Sequence, residues 1–217
     1  MPTPKLGKPL RTRAQVQSRF HSGIERLEIG SGNSPTAGYV HLDIQTDLPK
    51  LNIVANVRKL PLPDNFVSQE IRAIHIFEHF CHPQFASGQQ RQKYGTTIEV
   101  LKECYRVLKP GGKLKIVTPD LEKIATSIVK KRVGFNWLQQ WLVGGHQDEY
   151  DHHHWLWTKR DAQTWFKQVG FTNVKDWNPI RLPFRVWQLK WHTPQVSGNI
   201  DWHKIEFYHW LFIEGQK

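Results

Sequence analysis

Tryptophan is absent from the first 136 residues of a chain that carries ten of them, all from Trp137 onward. The split suggests two regions with different work. Cysteine is nearly absent as well. Cys81 and Cys104 are too few for a disulfide framework in 217 residues, so a reducing, cytoplasmic setting is expected. Long apolar runs are missing: none approaches the ~18–20 residues of a membrane-spanning helix, so no span is expected. Acids are in deficit, 19 Asp and Glu against 30 Lys and Arg, which makes a basic protein of formal net charge +11. Such a balance brings nucleic acid into consideration as a partner. What is present excludes global disorder, because 39% hydrophobic and 23% charged residues support a packed core in one domain of ordinary size.

The positive charge is unevenly spread. Residues 1–27 hold six Lys or Arg and one acid, residues 28–120 eleven and nine, and residues 121–217 thirteen and nine. Lys5, Lys8, Arg11, Arg13 and Arg19 precede the first acid, together with Pro2, Pro4 and Pro9. The prolines oppose an amphipathic helix, and the stretch has no apolar core of a secretory leader. Residues 1–24 are therefore expected to be a basic arm, flexible or lying on the surface, ahead of a single domain over 25–217.

From Arg26 onward, short apolar runs alternate with Gly, Pro and Asn. Arg26–Ile29, Tyr39–Ile44, Asn52–Val57, Ile71–Ile76 and Lys113–Val117 read as five successive strands. The Gln-rich stretch 84–93 reads as a polar loop. Over Thr96–Leu108, Ile98, Leu101, Tyr105 and Leu108 recur at helical spacing, and Lys109-Pro110-Gly111-Gly112 stops the helix. Thr158 and Asp161 form a capping-box start for a helix running to about Val169 and closed by Gly170. Phe171–Trp177 reads as a sixth strand and Ile205–Ile213 as a last β-rich run. Strands interleaved with helices through short turns predict an α/β fold, a parallel sheet covered by helices. Residues 121–157 and 178–204 read as cap-like additions to it.

Glu28-Ile29-Gly30-Ser31-Gly32 follows directly on the first strand. Its two glycines permit a tight turn and let a ligand lie against the backbone. Asp43 ends the second strand, where a carboxylate can accept hydrogen bonds from both hydroxyls of a ribose. Leu27–Gly32 with Asp43 resembles the first motif and the ribose-binding acid of the class I S-adenosylmethionine-dependent methyltransferases. Asn56–Pro61 is similar to that family's adenine-packing segment, Ile76–Phe80 to the segment after strand four, and Val107–Leu114 to the turn into strand five. The resemblance spans about residues 26–177. It is nearest to small methyltransferases of the type 11-like group, which Gly38-Tyr39-Val40, Thr118–Leu121 and the stretch from Gly144 to His153 also resemble.

The resemblance implies a Rossmann-like fold with a mostly parallel seven-stranded sheet, a transferase activity, and S-adenosyl-L-methionine as cofactor. It also implies that Glu28, Gly30, Ser31, Gly32, Asp43, Asn56 and Val57 hold that cofactor, Glu28 by organising the loop. Ser34-Pro35 replaces the third glycine of the usual motif, which predicts a first helix that is short or absent. Asn56 stands where an Asp is usual and keeps an amide oxygen for the adenine amino group.

A sulfonium methyl is already reactive, so alignment is the main demand, but a hydroxyl acceptor also wants a base. The candidates are Asp120 at the tip of strand five, His153 and His75. His75, Glu78 and His79 match an inverted zinc-peptidase pattern, yet that chemistry needs both histidines on one helical face, and here they sit at a strand end. Loop anchoring is expected for Glu78 and His79. The consecutive His152, His153 and His154 point in different directions on any regular element, so no metal is expected. Trp137, Trp141 and Trp165 suit packing. Trp187, Trp191 and Trp202, interleaved with Arg181, Arg185 and Lys190, suit stacking on a sugar, a base or a partner. The motifs of nucleic-acid amino and cytosine methylation are missing. That favours O-methylation of a small-molecule or saccharide acceptor. RNA methylation, from the net charge, and non-catalytic cofactor binding, from the altered first motif, are the competing readings.

Overall fold

Short buried strands alternating with amphipathic helices build one seven-stranded sheet. The computed structural model describes residues 8–33, 35–130, 135–146, 149–177 and 209–217. The strands are β1 (Ile24–Ile29), β2 (Val40–Asp43), β3 (Ile53–Val54), β4 (Val67–Ile74), β5 (Lys113–Pro119), β6 (Thr172–Asp176) and β7 (Trp210–Gln216). Their order is β3-β2-β1-β4-β5-β7-β6. Neighbours from β3 to β5 are parallel, whereas β7 runs antiparallel to both β5 and β6. The register sets Leu27 between Val40 and Ile71, and Ile29 between Leu42 and Ala73. Leu27, Ile29, Leu42, Ile71 and Ala73 are wholly buried, as central parallel strands covered on both faces require. The strand order turns back between β1 and β4, so their carboxyl ends flank the crevice where open α/β sheets bind ligands.

The helices are α1 (Arg13–Arg19), α2 (Gly88–Tyr94), α3 (Thr97–Val107), α4 (Leu121–Val129), α5 (Phe135–Val143) and α6 (Lys159–Val169). Helix α3 starts on a Thr96–Glu99 capping box and α6 on a Thr158–Asp161 box, each worth about 1 kcal/mol. Gly170 closes α6 in the left-handed region at φ 112°. Their buried faces, Ile98, Leu101 and Cys104 on one and Ala162, Trp165 and Phe166 on the other, join the main core.

Several expectations are corrected. The Gln-rich stretch is not all loop: Ser87 Oγ accepts from Gln90 N–H while the Gln90 side chain accepts from Ser87 N–H, and this box starts α2. Strand β4 begins at Val67 rather than Ile71, and β3 is only two residues long. Residues 8–24 are no detached arm. Leu10 bridges to Ile53, Thr12 caps α1, and Val16 is wholly buried in the core. By contrast, the absence of a helix between β1 and β2 among the described residues is what Ser34-Pro35 predicted.

After β5 come α4, α5 and the loop that follows, the first of the two stretches expected to be cap-like. Trp141 packs against the cluster of Val117, Trp210 and Phe212. The backbone N–H groups of His154 and Trp155 both donate to Glu78 O, at 2.8 and 3.3 Å. Trp157, wholly buried, sets its ring 5.4 Å from Phe77 and 4.9 Å from Trp165. Trp157, Trp165 and Trp210 are thus core residues. The second cap-like segment, with Trp187, Trp191 and Trp202, lies outside the described residues, as do the side chain of Trp137 and residues 205–208 of the last β-rich run.

Candidate active site

The turn after β1 is shaped by two glycines in the left-handed region, Gly30 at φ 63° and Gly32 at φ 51°. They serve different ends. A Cβ on Gly30 would stand 1.8 Å from Ile76 Cδ1, so this glycine makes room for the turn after β4. A Cβ on Gly32 would meet no heavy atom within 4 Å among the described residues, so this glycine leaves room for a ligand against the backbone. Asp43, at the tip of β2, accepts from Gly32 N–H at Oδ2 (3.0 Å) and from Gln45 N–H at Oδ1 (3.1 Å). Each carboxylate oxygen keeps a lone pair for another donor. Beneath them, buried Glu28 accepts from Thr36 N–H at 2.7 Å and from the Thr36 hydroxyl, with His41 Nδ1 at 3.1 Å. Glu28 therefore pins the loop to its strand.

Across the crevice, β4 runs out into His75, whose backbone is left-handed at φ 51°, rare for a side-chain-bearing residue. Its ring stands against Trp210 at 4.6 Å and Trp141 at 5.6 Å. His75 Nδ1 lies 3.0 Å from Oε1 of Glu78, a wholly buried residue of the 3-10 turn Phe77–His79. Thr118 Oγ1 donates to Glu78 Oε2 at 3.1 Å. Burial pushes the Glu78 carboxyl up, but the hydrogen bond from His75 and the nearby His75, His79 and His153 more than offset it and keep the group ionised. Beside an ionised Glu78, His75 Nδ1 is the donor, and Nε2 is buried without a hydrogen-bond partner among the described residues. His79 Nδ1 lies 3.0 Å from His152 O, and His153 Nδ1 lies 2.9 Å from Trp141 O. Burial lowers the His153 pKa below the usual imidazole range.

Both sides border a cavity of about 450 Å³. Of the residues expected from sequence, Gly30, Gly32, Asp43, Asn56, Val57 and His75 line it. Asn56 Oδ1 already accepts from Arg58 N–H at 2.9 Å, which leaves one lone pair for a ligand. Ser31 is buried off the wall, its Oγ without a partner among the described residues. Asp120 is not on the wall either, which corrects its assignment as a base. Its Oδ1 accepts from Glu122 and Lys123 N–H at 3.1 and 3.2 Å, and Oδ2 pairs with Lys123 Nζ, so the carboxylate caps α4. His153 lies behind the wall, its ring edge-on to His79 at 5.1 Å. The three consecutive histidines do diverge: His152 meets His146, His153 meets His79, and His154 meets Tyr94. Sequence reasoning missed Lys93 and Tyr94 as wall residues, whereas His79, expected as a loop anchor beside the cofactor, also lines the cavity. The first two come from α2, and the Ser87–Gln90 box was the available signal.

This strand order, with an antiparallel β7 between β5 and β6, is the Rossmann-like fold of class I S-adenosylmethionine-dependent methyltransferases. The SAM-dependent methyltransferase from Thermotoga maritima superposes with a TM-score of 0.53 at 16% identity, over 95% of this chain and 88% of that one. The PH0226 protein from Pyrococcus horikoshii gives 0.50 at 16% identity, over 94% and 86%. One chain of the Haloferax volcanii complex containing the Trm112 methyltransferase activator gives 0.50 at 14% identity, over 94% and 92%. At such identities the likeness is one of fold. No protein-family model and no curated protein matches the sequence. Among the described residues, no helix is long and apolar enough to cross a membrane.

Proposed function

We propose that the protein is an S-adenosyl-L-methionine-dependent methyltransferase that O-methylates a small-molecule or saccharide acceptor. One juxtaposition carries the reading. The open face of Gly32 and the Asp43 carboxylate stand on one side of the cavity, and His75, its Nδ1 held by Glu78, lines the other. The residues fit the cofactor. Gly32 admits a ligand against the backbone, Asp43 keeps acceptor capacity for two ribose hydroxyls, and Ala55, Asn56 and Val57 supply a wall for adenine. The volume lies within the ~300–1,000 Å³ of ordinary small-ligand sites.

Bound S-adenosyl-L-methionine supplies a sulfonium methyl, and its transfer to an acceptor oxygen leaves S-adenosylhomocysteine, the sulfur keeping the bonding pair. Glu28 holds the loop, and Asp43 fixes the ribose. His75, on the opposite wall, is the base for the acceptor's hydroxyl proton. Glu78 on Nδ1 orients the ring and stabilises the positive charge that forms there, the logic of carboxylate–imidazole pairs. Trp141 and Trp210 keep the ring from turning.

The test has two stages. S-adenosyl-L-methionine titrated into the wild type should bind, and Asp43→Ala should weaken it at least tenfold, about 1.4 kcal/mol. Equal affinities would overturn the cofactor site. Incubation with methyl-labelled cofactor and separate pools of glycans, small metabolites and RNA should then place label on the first two. Label on RNA would overturn the acceptor class, and binding without label in any pool would overturn catalysis.

A further inference from the structure

We infer that Glu78, His79 and His153 form a site for one divalent transition-metal cation beside the cavity. One ligand atom from each residue lies within 4.8 Å of the other two. They arrive from separate places: Glu78 and His79 from the turn after β4, His153 from the loop after α5. Hydrogen bonding fixes the form of both rings. His79 and His153 each place Nδ1 on a backbone carbonyl, which can only accept, so Nδ1 carries the proton and the neutral ring keeps its lone pair on Nε2. Imidazoles that bind metals make this same outer contact, which sets the tautomer and aims the free nitrogen. Glu78 has its own outer contacts, His75 on one oxygen and Thr118 on the other, with a lone pair left on each.

Three potential ligands, one of them a carboxylate, are thus gathered at a partly buried point. Metal–nitrogen bonds of ~2.0–2.1 Å put the ligands of a tetrahedral site ~3.4 Å apart. Closing on an ion from separations of up to 4.8 Å therefore asks the widest pair to approach by at most ~1.4 Å. Two imidazoles and one carboxylate suit Zn²⁺, Co²⁺ or Fe²⁺ better than Mg²⁺ or Ca²⁺, which prefer all-oxygen sets. The peptidase-like pattern enters in altered form, since His75 buttresses Glu78 and His153 supplies the ligand. His79 lines the cavity, so an ion held here is within reach of an acceptor oxygen and would acidify its hydroxyl. That use rests on the methyltransferase reading; ion binding itself does not.

The full chain, stripped by a chelator, would be titrated with Co²⁺ alone, followed by its visible ligand-field absorption and by calorimetry. One equivalent should bind, and His79→Gln and His153→Gln should each weaken it at least tenfold. His21→Gln, an exposed histidine elsewhere, should leave it unchanged. Circular dichroism confirms folding of each variant; if His153→Gln fails to fold, His79→Gln decides. Equal affinity in the variants, or none tighter than about 100 µM (~5.5 kcal/mol), would overturn the site and leave a shared proton in its place. Co²⁺ binding without methyl transfer would overturn the methyltransferase reading and leave the metal site standing.

Discussion

On the β1–β2 side of the cavity, Glu28 and Asp43 are held chiefly by the backbone N–H groups of Thr36, Gly32 and Gln45. On the β4–β5 side, Glu78 is held by His75 and Thr118, with His79 and His153 close by. Backbone donors carry no proton that leaves at ordinary pH, and only a proline removes them. Imidazoles can lose a proton, gain one or bind an ion. The first side, with one imidazole on Glu28, is thus the more fixed frame for a ligand, and the second, with three imidazoles around Glu78, has more capacity to change its charge.

The largest effect expected of this difference is at Glu78. Glu78→Gln breaks a buried, charge-assisted set and should cost ~3 kcal/mol of unfolding free energy. Glu28→Gln keeps an acceptor for Thr36 and should cost ~1 kcal/mol. Urea unfolding of the two variants compares them directly, and equal losses would break the contrast. The two glycines come next. Gly30→Ala combines left-handed strain with a collision against Ile76 and should cost ~2–3 kcal/mol. Gly32→Ala carries only the strain, ~1 kcal/mol, but should weaken S-adenosylhomocysteine binding at least tenfold.

The smallest effect lies under both sides. Glu70 of β4 pairs with Lys115 at 2.6 Å and Arg72 at 2.9 Å and accepts from the Tyr39 hydroxyl. Burial raises its pKa, but hydrogen bonds from Lys115 and Tyr39 and the charges of Arg72 and Lys115 bring it below the ordinary 4.5. The folded state thus binds fewer protons than the unfolded one in that range. The stabilisation is whole above pH 4.5 and is lost as pH falls below it. Glu70→Gln should flatten the acid limb of a stability-versus-pH curve; an unchanged limb would remove Glu70 from the account.

How much of this was legible in the sequence differed between the same two sides. Gly30, Gly32 and Asp43 were legible because their chemistry is written in contiguous strand–turn segments, where local pattern and site coincide. Asp120 misled because the tip of a strand is also where a helix begins, and Asp is a favoured N-cap. Helix α2 was hidden by glutamines that read as loop although one of them closes a capping box. His153 could be picked out by pattern, but its meeting with Glu78 and His79 depends on how the cap folds back, which periodicity does not encode. The tryptophan boundary hinted at acceptor recognition. Trp157 and Trp210 instead fill the core, beside Trp165, for which packing was expected.

Glu78 reaches its neighbours in two ways: its carboxylate faces the histidines, and its main-chain carbonyl holds the N–H groups of His154 and Trp155. An acceptor bulky enough to lift that segment would pull on Glu78 without touching it. The tolerated size of a guest and the readiness of the carboxylate are thereby set by one residue, so widening the entrance by design would also detune the chemistry behind it.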